Sequence, residues 1–203
     1  MQDTNMRITC PKSEYLEISN EIFEFSKDLL SIDEIQEAEK LSIDLTKKSM
    51  RVNAKRTLKN MLGTSPKRPI YYTNHEINAL PHWTRTAIEN LGHFVDSMVK
   101  CVVVEKLQTS KFKQSSLGPN LKQLKDKIPN DLYSEIEKFN RLIYRPAKHD
   151  FDVINRRHRF TSKEVVFTIF ITLKLKEKLI GISKEVKDYC EDKTNDEYGL
   201  PMR

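Results

Sequence analysis

One segment in the second half of the chain combines side chains that can act on a phosphodiester. Residues 139–151 read FNRLIYRPAKHDF. In a helix this sequence predicts two adjacent polar rows, one with Arg141, Arg145 and His149 and the other with Asn140, Tyr144 and Lys148. Arginine can bind a phosphate and stabilise its developing charge, and histidine can exchange a proton near neutral pH. The first row is therefore the candidate catalytic site, and the second is a candidate for binding nucleic acid.

RNA cleavage is the reaction that these residue types suit. The 2′-hydroxyl of RNA is an internal nucleophile, so a site of arginine and histidine requires neither a metal ion nor another cofactor. Pro146 disfavours α-helical geometry at Arg145, and we expect a kink that turns Arg145 outward at the end of the bundle. Two alternatives stay open: a basic patch that contacts phosphates or a second copy without catalysis, and a His149 that only forms a hydrogen bond at a helix end.

Two further basic groups are candidates for contacting the phosphates of a nucleic acid. One is Arg156, Arg157 and His158 in the polar stretch 150–159, and the other is Arg51, Lys55, Arg56 and Lys59 in a predicted helix. A solvated charged surface is the alternative role for the helical group.

The remaining cysteine, histidine and aromatic residues favour structural roles. The three cysteines form no C-x-x-C pair, and His75, His82 and His93 lack the closely spaced acidic neighbours of a helical metal site, so no metal site or disulfide is expected. Trp83, Tyr71 and Tyr72 can stack on bases, although packing is the favoured role. Asp150 and Asp152 flank His149 and can orient it.

The 203-residue chain carries a net charge of +6 that is unevenly distributed. Residues 12–44 contain ten acidic and three basic side chains, whereas residues 47–68 contain eight basic side chains and no acidic one. Residues 100–127 contain seven basic and two acidic side chains. This asymmetry predicts an anionic partner such as RNA or an acidic protein. Alternatively, the acidic block offsets the basic one within the folded protein.

Glycine is scarce, and this excludes several classes of fold and site. Only five glycines are present, and the glycine-rich motifs of dinucleotide sites and P-loops do not occur. Turn residues are too few for a β-sandwich or barrel, so the abundance of Lys, Glu, Leu and Ile predicts an all-α protein. No apolar run is long enough for a membrane span and the N-terminus lacks a signal-peptide pattern, so we expect a cytoplasmic protein without membrane contact.

Apolar periodicity predicts an up-and-down bundle of four long helices with short helices inserted between them. The long helices are expected over 12–30, 33–62, 77–108 and from 161 to about 180, and the short ones over 119–126 and from 130 onward. Together they form a single domain over residues 12–190, between flexible tails at 1–11 and 191–203.

Local signals mark the ends of several of these helices. Ser31 and Asp33 can cap the second long helix, and Gly63 can end it. The sequence TSPKRP at 64–69 predicts a loop. Asn130 is the predicted N-cap of the helix that leads to the candidate site.

The last long helix and two glycines carry further expectations. Thr161 to Glu164 form a capping-box pattern, which favours a helix over a strand for the apolar run VVFTIFITL that follows. Gly92 and Gly181 fall inside predicted helices, where glycine is unfavourable. We therefore expect close helix packing at both positions.

An all-α bundle with a late Arg…His pair, a polar loop and a final apolar helix resembles the HEPN superfamily. The Ser-Leu-Gly turn at 116–118 and the run NRLIYRPAKHDF also resemble that family, over about residues 28–188. The resemblance implies a metal-independent endoribonuclease of a prokaryotic defence or toxin–antitoxin system. It also implies a site formed across a homodimer, and an antitoxin or another defence-system protein as partner.

The spacing of the candidate residues departs from the HEPN pattern, in which four to six residues separate the arginine from the histidine. Three residues separate Arg145 from His149, and seven separate Arg141 from His149. Arg68 and His75 have the family spacing, but they precede the third long helix, which is the wrong place in that fold. The alternative is a catalytically inactive helical module that binds nucleic acid or a partner protein through its basic faces.

A protein–protein adaptor is the third possibility. In it, the acidic face of residues 14–44 in one copy meets a basic face of another copy or of a partner.

Overall fold

The computed structural model describes residues 18–63, 67–78, 83–109, 116–148 and 160–192. These residues form α1 (Asn20–Leu29), α2 (Ile32–Thr46), α3 (Arg51–Leu62), α4 (Arg68–Glu76), α5 (Thr84–Leu107), α6 (Leu117–Lys122), α7 (Asn130–Phe139), a π-helical turn (Asn140–Tyr144), α8 (Arg145–Lys148), α9 (Ser162–Ile182) and α10 (Lys184–Glu191). No strand occurs in these ranges. The predicted all-α helical bundle is confirmed.

The two longest helices, α5 and α9, form the centre of the bundle. They pack against each other, and α5 also contacts α4, α6, α10 and the π turn, whereas α9 also contacts α1, α2 and α3. Every residue from Val165 to Thr172 is buried, which accounts for the continuous apolar run at the start of α9. Its capping box is confirmed, because the Thr161 hydroxyl accepts from the Glu164 amide and the Glu164 carboxylate accepts from the Thr161 amide.

The acidic residues of α1 and α2 pair with lysines from the far end of the chain. The ion pairs are Glu34–Lys174 at 3.3 Å, Glu39–Lys163 at 3.4 Å and Asp28–Lys138 at 2.9 Å. Hydrogen bonds from Ser31 and from Lys174 hold the pKa of Glu34 below its usual value, against a desolvation effect that raises it. Three carboxylates of the acidic block are thus offset by lysines of α7 and α9, and within the described ranges none of the three pairs with the basic block of residues 47–68.

Two of the expected long helices have different boundaries in the structure. The helix expected over 33–62 is interrupted after Thr46, and Arg51 caps the end of α2 by donating from Nε to the Leu45 carbonyl at 2.8 Å. The interruption falls on residues 47–50, which contain no buried side chain that would hold a continuous helix on the core. The second difference is in α5, which begins at Thr84 and not at residue 77.

The segment before α5 contains a helix where the composition of residues 64–69 predicts a loop. Residues 68 and 69 open α4, where Pro69 suits the first turn because it has no amide hydrogen to leave unpaired. Ile70, Thr73 and Ile77 are buried and attach α4 to α5. His75 lies on this helix and is exposed.

The predicted helix ends agree with the structure at some positions and differ at others. Ser31 and Gly63 take the predicted positions, with a capping box at Ser31 and a left-handed φ of 75° at Gly63. Asn130 is the first helical residue of α7 and not its cap, which is Pro129. The helix expected from residue 12 begins at Asn20 within the described ranges. Residues 1–11 and 193–203 lie outside those ranges.

Among the described helices, none has the length and apolarity that crossing a bilayer requires.

Close packing is confirmed at Gly92 and wrong at Gly181. A Cβ atom built on Gly92 would overlap the ring of Tyr144, because the ring lies directly on the backbone of α5. A Cβ atom on Gly181 would meet no atom within 4 Å, and this residue is exposed. Gly92 is thus required by a side chain from the π turn, whereas Gly181 has no packing role.

These two glycines should respond in opposite ways to the same substitution. Gly92→Ala should lower the free energy of unfolding by about 1–3 kcal/mol, because the Tyr144 ring must move out of its position. Gly181→Ala should raise it by roughly 0.5–1 kcal/mol, because alanine restricts the unfolded chain and favours the helix. Denaturant unfolding of both variants measures the difference, and equal effects would contradict the packing at Gly92.

Candidate functional site

The candidate segment forms a π-helical turn and not a regular α-helix. The amide of Arg145 donates to the carbonyl of Asn140, five residues earlier, and π turns of this kind are frequent at functional sites. The expected departure from α-helical geometry at Arg145 is wrong, because Arg145 has α-helical dihedral angles and the chain continues as α8 through Pro146. The side chain of Arg145 is exposed. The wider π turn before Pro146 relieves the clash that a proline ring makes in a regular α-helix.

Beside this turn lies a basic cavity of about 380 Å³, which we call the π-turn cavity. It is lined by Ser116, Leu117, Gly118, Pro119, Lys122, Asn140, Tyr144, Arg145 and Lys148. Three of these side chains are cations, and none is a carboxylate. A cavity with this charge favours an anion such as a phosphate.

The structure brings four of the six predicted residues to this cavity. Asn140, Tyr144, Arg145 and Lys148 line it, whereas Arg141 is exposed and lies outside its lining. The predicted rows assume a regular α-helix, in which residues four apart lie on the same face. A π turn contains one extra residue, which rotates the side chains after it by about 100° relative to those before it. His149 lies outside the described residues.

Tyr144 connects the cavity to the central helix α5. Its ring is buried against Gly92, and its hydroxyl is 3.0 Å from Nδ1 of His93. Nε2 of His93 faces Glu89 at 3.6 Å, which favours the tautomer that carries its proton on Nε2 and accepts from the tyrosine at Nδ1. Burial, together with the negative charges of Asp96 and Glu89, raises the pKa of Tyr144, so the hydroxyl stays protonated at neutral pH.

Two further contacts fix the position of α8. Arg85 of α5 donates from Nε to the carbonyl of Ala147 at 2.8 Å. The Lys148 ammonium lies 5.4 Å from the centre of the Tyr144 ring, within the range of a cation–π contact. The backbone of α8 and one of its cations are thus held against rigid parts of the bundle.

A second basic surface lies between α3 and α4, and we call it the α3 groove. It has a volume of about 580 Å³ and is lined by Val52, Lys55, Arg56, Lys59, Asn60, Gly63, Asn74 and Asn78. Burial and the nearby charge of Arg51 lower the pKa of Lys55, whose ammonium donates to the Asn78 carbonyl at 3.2 Å. In the part of the chain that the structure describes, no carboxylate pairs with Lys55, Arg56 or Lys59.

Of the four basic residues predicted on α3, three line this groove. Arg51 instead donates to the carbonyls of Leu45 and Thr46 and so has a structural role. The other predicted basic group, Arg156, Arg157 and His158, lies outside the described residues, as do Asp150 and Asp152.

Trp83 and the two described cysteines lie at positions that suit structural roles. Trp83 is fully buried in the core. Cys101 and Cys190 are partly buried and unpaired, and burial raises the pKa of the Cys101 thiol to about 11. No group of three or more histidine, cysteine or carboxylate residues within the described ranges could hold a metal ion.

A polar cleft that was not predicted lies on the opposite side of the His93–Tyr144 contact. This α5 cleft has a volume of about 660 Å³, and α4, α5 and α10 form its walls. Its polar residues on α5 are Asn90, His93, Asp96, Ser97 and Lys100. These polar residues recur every three or four positions along a helix that is otherwise mostly buried. The sequence contains this pattern, but a search for apolar periodicity alone does not detect it.

The ring of Tyr144 should matter more to stability than its hydroxyl. Tyr144→Phe should lower the free energy of unfolding by about 1 kcal/mol, because water can replace the lost partner of the half-exposed His93. Tyr144→Ala should lower it by about 3–5 kcal/mol, because it leaves a cavity over Gly92. Denaturant unfolding separates the two effects, and a loss in Tyr144→Phe as large as that in Tyr144→Ala would contradict this assignment.

No family model matches this chain, and neither a curated protein nor a solved structure matches it.

Proposed function

We propose that this chain binds RNA at the π-turn cavity and cleaves it without a metal ion. The observation that carries the proposal is the cavity itself, whose lining among the described residues includes Lys122, Arg145 and Lys148 and no carboxylate. Lys148 is followed directly in the sequence by His149, the candidate for proton transfer. Phosphate-binding cations next to a histidine are the minimal set for transesterification of RNA.

The proposed reaction needs only the RNA, water and these side chains. The ribose 2′-oxygen attacks the adjacent phosphorus, and the bond from phosphorus to the 5′-oxygen breaks. His149 takes the proton of the 2′-hydroxyl while water supplies one to the leaving 5′-oxygen, or His149 supplies that second proton while water takes the first. Arg145 and Lys148 stabilise the added negative charge on the phosphate. The products carry a 2′,3′-cyclic phosphate and a 5′-hydroxyl.

The HEPN resemblance supplies the biological setting of this proposal. In that setting the chain is a cytoplasmic nuclease of a prokaryotic defence or toxin–antitoxin system, and its partner is an antitoxin or another defence-system protein. A second copy of the chain completes the site. The spacing of arginine and histidine within one copy departs from the HEPN pattern, and the second copy would supply the missing partner of that pair.

The second candidate function is RNA binding without cleavage. The α3 groove favours it, because three cations there lack a carboxylate partner among the described residues and lie apart from His149 in the sequence. Exposed cations of this kind bind nucleic acid through its phosphates and release counterions.

Cleavage should be measured with purified protein and structured RNA, including tRNA, in the presence of EDTA. The native chain should produce fragments ending in a 2′,3′-cyclic phosphate. His149→Ala should slow cleavage by about 10²–10⁴-fold, the range for loss of a general acid or base. Arg145→Gln should slow it as well, and Lys40→Gln, which removes an exposed charge on α2, should not. Equal rates for the native chain and His149→Ala would sink the nuclease proposal.

Binding should be measured separately, on His149→Ala protein that leaves the RNA intact. The double variant Arg56→Glu and Lys59→Glu should weaken binding to a single-stranded RNA and reduce the dependence of log K on log salt, by about 0.7 for each phosphate that the variant no longer neutralises. Fluorescence anisotropy between low and moderate salt gives both quantities. Binding that depends on Arg145 and Lys148 but not on Arg56 and Lys59 would exclude the α3 groove.

A further inference from the structure

The α5 cleft has the size and the walls of a small-molecule site. Its volume of about 660 Å³ lies within the range of ligand pockets. The first residues of α4 form one wall, one face of α5 forms the second, and Tyr189 of α10 contributes to the third. Neither the proposed RNA cleavage nor the α3 groove uses this cleft.

Lys67, at the edge of α4, is a buried cation without a hydrogen bond to any described residue. Its side chain is 3% exposed, and Nζ has no hydrogen-bond partner in the described ranges. Oδ2 of Asp192 lies 3.7 Å from Nζ, and the Tyr189 ring centre lies 4.6 Å away. An ammonium has three donors, and burying them unpaired is unfavourable, so Lys67 is suited to an anion that enters the cleft.

The start of α4 adds to this preference for an anion. Lys67 is the N-cap residue, and no described side chain caps the helix. The amides of Ile70 and Tyr71 donate to the Lys67 carbonyl, and Pro69 has no amide hydrogen. The Arg68 amide is therefore the donor that this helix end offers, together with its partial positive charge. Arg68, the first helical residue, is exposed and lines the cleft.

Asp96, on the α5 wall, favours a hydrogen-bond donor and not an anion. The carboxylate is buried, and Oδ2 accepts from Lys100 at 2.9 Å, whereas Oδ1 has no hydrogen-bond partner among the residues that the structure describes. A buried carboxylate oxygen is stabilised by a donor, such as a hydroxyl or an amino group. Asn90 and Ser97 lie on the same wall. The cleft thus combines an anion-binding end with a wall that accepts hydrogen bonds.

We propose that the α5 cleft binds a phosphate monoester whose organic part carries hydroxyl or amino groups. Its phosphate lies between the start of α4, Lys67 and Arg68, and a donor of its organic part pairs with Asp96. Such a group can come from a free sugar phosphate or from the 5′-phosphorylated end of an RNA. The proposal is independent of RNA cleavage, because it involves neither His149 nor the π-turn cavity.

The test uses the full chain and isothermal titration with ribose 5-phosphate, inorganic phosphate and ribose. Ribose 5-phosphate should bind more tightly than either of the other two. Lys67→Met and Arg68→Gln should each weaken its binding by about tenfold or more, the effect of losing a charge-assisted hydrogen bond. Asp96→Asn should weaken ribose 5-phosphate more than inorganic phosphate. Lys187→Gln, an exposed charge on α10, should change neither.

A second arm separates the two sources of the ligand. The comparison uses a short RNA with a 5′-phosphate and the same RNA with a 5′-hydroxyl. The RNA end is the ligand if the 5′-phosphorylated RNA binds far more tightly than ribose 5-phosphate and the 5′-hydroxyl RNA does not. Equal affinities identify a free sugar phosphate. The exposed position of Arg68 makes Arg68→Gln the variant that keeps the fold, and its thermal unfolding checks this. Absence of binding, binding unchanged in Arg68→Gln, or equal affinity for inorganic phosphate overturns the proposal.

Discussion

The contact between the Tyr144 ring and the bare backbone at Gly92 holds the candidate site on the bundle. Because the ring lies where a Cβ atom would be, α5 and the π turn approach more closely than two helices with ordinary side chains can. The tyrosine hydroxyl adds a bond to His93, and the ring provides a surface for Lys148. The π turn and the basic cavity depend on this contact, and the hydrogen bond from Arg85 to the Ala147 carbonyl adds to it at α8.

The distribution of ion pairs explains why the basic surfaces of the bundle remain available to a ligand. The carboxylates of Asp28, Glu34 and Glu39 pair with lysines of α7 and α9. They are thereby turned away from α3 and its cations, although the two blocks are adjacent in sequence. Surface pairs of this kind contribute little to stability, but they determine where positive charge is left without a partner. In the described ranges, such charge includes the cations along α3 and around the π turn.

Signals that act within one turn of helix were predictable from the sequence, and features set by distant contacts were not. Ser31 and Thr161 cap their helices because the groups they bond to lie three residues away. Gly92 and Gly181 look alike in the sequence, and only a tyrosine fifty-two residues after Gly92 distinguishes them. The π turn forms because the Arg145 amide donates to the carbonyl five residues earlier and not to the one four residues earlier. The residue types alone do not specify this choice.

The two cavities that could receive a phosphate are physically linked, and this constrains how either can be altered. His93 lines the α5 cleft, Tyr144 lines the π-turn cavity, and a hydrogen bond of 3.0 Å joins their side chains. A change of the protonated nitrogen on His93 would reverse the direction of that bond, because a neutral imidazole offers one donor and one acceptor. The Tyr144 hydroxyl can take either role, because a protonated phenol both donates and accepts. Glu89, whose carboxylate lies 3.6 Å from Nε2 of His93, favours the tautomer in which Tyr144 donates, and so favours one arrangement of the wall that the two cavities share.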